Sequence, residues 1–202
     1  MPDPTDQYRV PARAHSAEIK VKGSRFIAHV LPAADTATAE ALYAEIKKKY
    51  YNATHNCPAW RITPDEWRYS DDGEPGGTAG KPILKEIVAA DLLYTLCVVT
   101  RYFGGTKLGT GGLIRAYGEA ARAALSTVPV EIKIRTRTLE LRFGYELESS
   151  VRHFITRFEG KIEASDYSNG VIFRVAIPLG YAEDFIRTTG EAHLNKIEWK
   201  CL

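Results

Sequence analysis

Several kinds of chemistry are ruled out by what the 202 residues lack. Cysteine occurs only at Cys57, Cys97 and Cys201, an odd and widely spaced set with no CxxC pair. That excludes a disulfide framework and a Cys-rich zinc site. No apolar run reaches the roughly 18–20 residues that span a bilayer. The opening MPDPTDQYRV lacks the charged-then-apolar order of a secretory signal. A cytoplasmic protein with no membrane partner is the expectation. An excess of one charge is also missing: 27 Lys+Arg stand against 25 Asp+Glu, a formal net charge of +2. Bulk charge of this size does not point to nucleic acid, so any electrostatic argument must be local. The GxSxG elbow and HExxH are absent. GxxxxGK[ST] is absent too, and a GxGxxG begun at Gly109 fails at Ile114.

What is present reads as an α+β chain in two parts. Residues 16–31 suggest two strands broken at Gly23–Ser24, and residues 35–51 an amphipathic helix with Asp35 as N-cap. Residues 53–62 and 66–71 suggest a strand pair turning at Thr63–Pro64–Asp65. The loop DGEPGGTAG then leads to a helix over 81–91, with Pro82 in its first turn. TLCVVTRYF (95–103) is a strand buried on both faces, and a helix is expected over about 112–126. The pattern restarts around Pro129. A strand (136–144), a helix (145–160), a hairpin turning at Asn169–Gly170, a helix (182–190) and a final strand give β-α-β-β-α-β, the split ferredoxin-like order. The expected domains are 1–128 and 129–202.

Glycine is concentrated in RYFGGTKLGTGGLIRAY, where five fall between Gly104 and Gly112. Arg101, Lys107 and Arg115 lie in the same stretch with no acid among them. A strand that passes through such a loop into a helix directs free amides and a positive dipole end at one spot. Gly104, Gly105, Gly109, Gly111 and Gly112 would let backbone approach an anion. Arg101, Lys107, Arg115 and a nearby Lys81 would supply charge-assisted bonds. A purely structural tight turn stays open as the alternative.

Three further groups deserve weighing. In DDGEPGGTAGKP, Asp71, Asp72 and Glu74 are oxygen donors suited to Mg²⁺ or Ca²⁺, yet adjacent rather than alternating acids miss the calcium-loop pattern. A type II turn through Glu74–Pro75–Gly76, with Thr78 capping the next helix, explains the loop without a metal. In HNC (55–57), His55 and Cys57 share one strand face, and the apolar context suits Cys57 as a buried structural thiol. His55 is an accessory candidate if its strand neighbours the glycine-rich segment. In IKIRTRTLELRF, Lys133, Arg135 and Arg137 share a face until parity shifts at Thr138–Leu139, which implies a bulge or a domain joint. No identifiable nucleophile accompanies these groups, so no catalytic residue is assigned, and no metal or cofactor is expected.

Taken together, ATHNCPAWRI, DDGEPGGTAGKPIL and VVTRYFGGTKLGTGGLIRAYGEAARAAL resemble the IMPACT/YigZ family over about residues 16–127. The later residues are similar in pattern to the extra domain of its bacterial two-domain type. The resemblance implies an N-terminal domain like the second domain of a small-subunit ribosomal protein, and a ferredoxin-like C-terminal domain resembling those of elongation factor G. Eukaryotic relatives regulate translation with the help of an RWD domain. This sequence starts directly with the family core, so the RWD-dependent kinase-pathway partner is not expected. Similar sequences often carry serine where this one has Gly76. The leading expectation is a non-catalytic, translation-associated regulator that binds RNA, the ribosome or a translation factor. The alternatives are an enzyme acting on a small phosphorylated or anionic substrate, and a pure protein-interaction module.

Overall fold

The computed structural model describes residues 6–193 and 196–202. Its described residues fall into two compact units, Arg9–Ile132 and a second comprising Lys133–Leu202 with the segment ending at Tyr8. The chain runs β1 (Gln7–Pro11), β2 (His15–Val21), β3 (Ser24–Pro32), α1 (Thr36–Lys49), β4 (His55–Arg61), β5 (Trp67–Tyr69), α2 (Gly80–Ala89), β6 (Thr95–Tyr102) and α3 (Gly109–Leu125). It continues through β7 (Val130–Ile134), β8 (Thr136–Phe143), α4 (Glu148–Arg157), β9 (Lys161–Asp166), β10 (Val171–Pro178), α5 (Leu179–Ala192) and β11 (Glu198–Cys201).

The first unit is built on an antiparallel sheet of order β2-β3-β6-β4-β5. Period-two alternation divides its side chains between two faces. Cys97, Val99, Phe26 and Cys57 pack with Leu113, Tyr117 and Ala121 of α3 and Ile83 and Ile87 of α2. Leu96, Val98 and Trp60 pack on the other face with Ala39, Leu42 and Ile46 of α1. The central strand β6 is therefore covered on both sides, as its unbroken apolar run predicts. Asp35 caps α1, accepting from the Thr38 amide at 2.6 Å. Alanines at 116, 120, 121 and 124 line the buried face of α3, and their small side chains let the helix backbone lie close to the sheet.

A buried histidine in this unit makes its stability depend on pH. His29 is 5% exposed, bonds Ser16 Oγ at 2.9 Å through Nδ1, and lies against the Tyr50 ring. Burial, with a smaller contribution from Lys49, lowers its pKa from 6.5 to about 4. Between those values the unfolded chain takes up a proton that the folded chain refuses. Stability should therefore fall as pH drops from 6.5 toward 4, at up to about 1.4 kcal/mol per pH unit from this group. Urea midpoints measured across that range should show the slope, and His29→Gln should remove its share of it.

The second unit holds an antiparallel sheet of order β11-β8-β10-β9. Leu139, Leu141, Phe173 and Val175 face Val151 and Ile155 of α4 and Phe185 of α5. The order from β8 to β11 is the expected β-α-β-β-α-β. Asp6 belongs here rather than with residues 9–128, because its carbonyl accepts from the Arg135 amide and its carboxylate from Gly180 at the start of α5. The parity shift in IKIRTRTLELRF comes from a strand break at Arg135. β7 pairs with β1 in a separate two-stranded sheet, while β8 joins the four-stranded one. Lys133, Arg135 and Arg137 thus do not form one strand face.

Candidate functional site

The turn between β5 and α2 is organised by its two aspartates. Asp71 accepts from three amides that open α2: Gly77 at 2.8 Å, and Ala79 and Gly80 at 2.9 Å each. Burial pushes its pKa up, but these amides outweigh that and hold it below the usual carboxylate range. Asp72 accepts from the Asn56 amide at 2.7 Å and from Lys47 Nζ at 2.9 Å. The turn differs from the expected type II form. Its left-handed glycines are Gly73 and Gly77 rather than Gly76, and Asp72 is left-handed as well. Thr78 does not cap α2; its hydroxyl donates to the Pro75 carbonyl at 2.7 Å. Both aspartates are occupied by protein donors, and among the described residues no three His, Cys, Asp or Glu gather to hold a metal.

Glu74 turns inward and becomes a hub. Its Oε1 accepts from Arg101 Nη1 at 2.6 Å and from the Tyr117 hydroxyl at 2.7 Å. The Arg101 and Glu74 side chains are 6% and 4% exposed. His55 approaches from β4. Its Nδ1 bonds the Asp72 carbonyl at 2.7 Å, so that nitrogen carries the proton, and Nε2 lies 3.9 Å from Glu74 Oε1. The register explains the meeting, since His55 pairs directly with Arg101 across β4 and β6. Cys57 completes the cluster, 3.5 Å from the Tyr117 hydroxyl and 3.2 Å from the Asp71 carbonyl. Burial raises the pKa of Cys57 and of Tyr117, so both stay protonated at neutral pH. The structure thus unites His55, Asp72, Glu74 and Arg101, as an enzyme reading requires. Within it, Glu74 Oε1 is held by Arg101 and Tyr117, and the buried Cys57 thiol stays protonated.

Arg101 was expected to contact an anion and is instead committed to Glu74. Its guanidinium also lies 5.5 Å from the Phe26 ring centroid. The physical reason is the position of β6 at the centre of the sheet, where a side chain on the α2–α3 face has no path to water. Sequence reasoning missed Tyr117 altogether. Its signal was a single polar-tipped residue on the otherwise small, apolar stripe of α3.

The glycine stretch separates into different roles. α3 starts at Gly109, three residues earlier than expected; Gly109 is its left-handed first residue, and Gly111 and Gly112 lie within its first turn. Gly104 is a packing residue, since a Cβ there would run into the Gly23 backbone of the β2–β3 turn. Gly112 backs onto Leu108, and a Cβ would come within 3.0 Å of that side chain. Gly105 and Gly109 have φ of +87° and +70° and face open space. Gly111 is also open apart from Arg115 Nη1, 3.8 Å from the position of a Cβ. Exposed Lys107 immediately precedes Leu108, the N-cap. Arg115 and Lys81 line one groove of about 800 Å³ between α2 and α3, together with Lys85, Pro82 and Ile114. Lys81, Lys85, Lys107 and Arg115 enter no ion pair among the described residues. Glu86 and Glu119 line the same groove, so the cations there share it with carboxylates, while Lys107 stands apart at the exposed start of α3.

A model of the Impact N-terminal domain family matches residues 22–125, which contain both the glutamate hub and the glycine stretch. The IMPACT family member YigZ of Escherichia coli (strain K12) is 33% identical over 184 residues, covering 89% of this chain and 90% of that protein. The IMPACT family member YvyE of Bacillus subtilis (strain 168) is 36% identical over 172 residues, 84% of this chain and 79% of that one. A crystal structure of a hypothetical protein superposes with a TM-score of 0.72 over 98% of each chain, at 29% identity. No described helix is long and apolar enough to cross a membrane. On the domain match and the near full-length similarity to its bacterial members, this chain belongs to the IMPACT family.

Proposed function

We propose that this chain is a translation-associated RNA-binding protein that holds phosphate at the start of α3. One observation carries the reading: Lys107 immediately precedes the N-cap of α3, Arg115 and Lys81 line one groove between α2 and α3, and none of the three enters an ion pair among the described residues. Unpaired amides and cations at one spot favour a phosphate oxygen over other surface ligands. The translation association follows the resemblance of the quoted sequence blocks to relatives that regulate translation. RNA, free or within the ribosome, is the partner class whose repeated phosphates suit such a site. The finer fold assignments go with it. The strand order β11-β8-β10-β9 under two helices supports a ferredoxin-like second domain, and the first domain is taken to be of the ribosomal-protein type.

The test is fluorescence anisotropy with a labelled RNA at increasing salt. Binding should be measurable at low salt and weaken log-linearly as counterions are restored. Charge reversal in the pair Lys107→Glu and Arg115→Glu should lower the salt slope by about 2 and affinity by roughly tenfold or more. A flat salt response, or no binding at low salt, removes the reading.

A further inference from the structure

The run KKKYYN at residues 47–52 ends α1 and leads into a loop fastened to the end of β6. The Thr54 amide donates to the Arg101 carbonyl at 2.8 Å. The Phe103 amide donates to Thr54 Oγ1 at 2.9 Å, and the Tyr102 hydroxyl to Asn52 Oδ1 at 3.0 Å. These bonds carry Tyr51 and Phe103 to the same end of the sheet, where they stand 83% and 48% exposed. Among the described residues, no aromatic ring packs on either.

Cations gather at this same end. Lys47, Lys48 and Lys49 end α1 just before Tyr50 and Tyr51, and these three lysines and Lys22 are exposed. Lys22 sits in the β2–β3 turn beside Gly23, against which Gly104 packs. Lys22, Lys48 and Lys49 form no ion pair among the described residues. The nearby acids are already partnered: Asp72 takes Lys47, and Glu18 lies 4.0 Å from Arg25. Arg25 in turn stacks on Tyr102, 4.5 Å from its centroid. Free ammonium groups attract phosphates, but they leave two exposed rings unexplained. Exposed rings beside cations that enter no ion pair match the needs of an unpaired strand, whose bases stack on aromatics while its backbone follows positive charge. Phe103 carries the Arg101 guanidinium 5.7 Å from its ring centroid, which leaves Tyr51 the more open of the two. A duplex hides those base faces and offers the rings nothing to stack on.

We propose that this end of the sheet binds single-stranded RNA, with bases stacked on Tyr51 and Phe103 and phosphates held by Lys22, Lys48 and Lys49. The proposal rests on the RNA-binding reading above and names the form of RNA it prefers. The experiment titrates the full chain with a fluorescein-labelled single-stranded oligouridine of about 10 nucleotides and with a duplex of equal length. Single-stranded RNA should bind roughly tenfold more tightly than duplex. Tyr51→Ala and Phe103→Ala should each weaken single-strand binding by about fivefold or more and leave duplex binding unchanged, while Tyr51→Phe keeps wild-type affinity. Tyr51 is exposed enough that its substitution leaves folding intact, so it decides the matter even if Phe103→Ala is unstable. RNA binding with no strand preference, or indifference to Tyr51→Ala, overturns the stacking proposal while leaving the RNA reading in place. Failure to bind either RNA overturns both. Equal affinity for polyglutamate shows a charge-only surface and also overturns the stacking proposal.

Discussion

Arg101→Ala should destabilise the first unit by about 3–5 kcal/mol in urea unfolding. The guanidinium is 6% exposed and donates to a carboxylate that is 4% exposed. Removing it strands the largely buried Glu74 charge beside Tyr117 and His55. The loss comes mainly from that uncompensated charge rather than from the missing bond, and this distinction can be measured. Replacing both partners by neutral groups of similar size, Arg101→Met with Glu74→Gln, should recover much of the stability lost by Arg101→Ala alone. Duplex RNA affinity at low denaturant should be unchanged for the fraction that stays folded, because the guanidinium is committed to Glu74, and its contact with the Phe103 ring bears only on single-strand binding. Loss of RNA binding with less than about 1 kcal/mol of destabilisation would mean that the guanidinium contacts an anion and that its buried pairing is secondary.

The same residue marks the limit of what was legible beforehand. Alternation along TLCVVTRYF predicts a strand buried on both faces, and burial of β6 follows that pattern. Taken seriously, it also says that Arg101 must be buried and therefore paired. The clustering of Arg101 with Lys107 and Arg115 along the chain pointed instead to a common ligand. Proximity in sequence failed because Arg101 still lies inside β6, buried in the sheet, whereas Lys107 lies in the exposed connection between β6 and α3. Its actual partner, Glu74, lies 27 positions earlier, and single-sequence spacing carries no information about such a contact. Asp35 illustrates the opposite case, since a helix cap depends only on residues three positions away. The strand break at Arg135 fell between these extremes. The change in parity was visible in the sequence, but the exchange of one sheet for another was not.

Two glycine substitutions should shift stability in opposite directions and separate packing from ligand contact. Gly104→Ala places a methyl group in the Gly23 backbone. Neither of those two chain segments can yield by a side-chain rotation, since Gly23 is itself held left-handed at φ +80° and Ser24 Oγ bonds the Gly104 amide. A loss of about 3 kcal/mol is expected, at the upper end for overpacking. Gly111→Ala meets only open space and the flexible tip of Arg115 within a helix, and should stabilise the unit by about 0.5–1 kcal/mol. If the amides at the start of α3 hold phosphate, the same methyl must stand between the backbone and the RNA. Gly111→Ala should then weaken RNA binding several-fold while raising the urea midpoint, a combination that no folding defect can produce. Unchanged affinity in this more stable variant would show that RNA does not approach the helix start at Gly111, and the phosphate site would have to lie with the lysines alone.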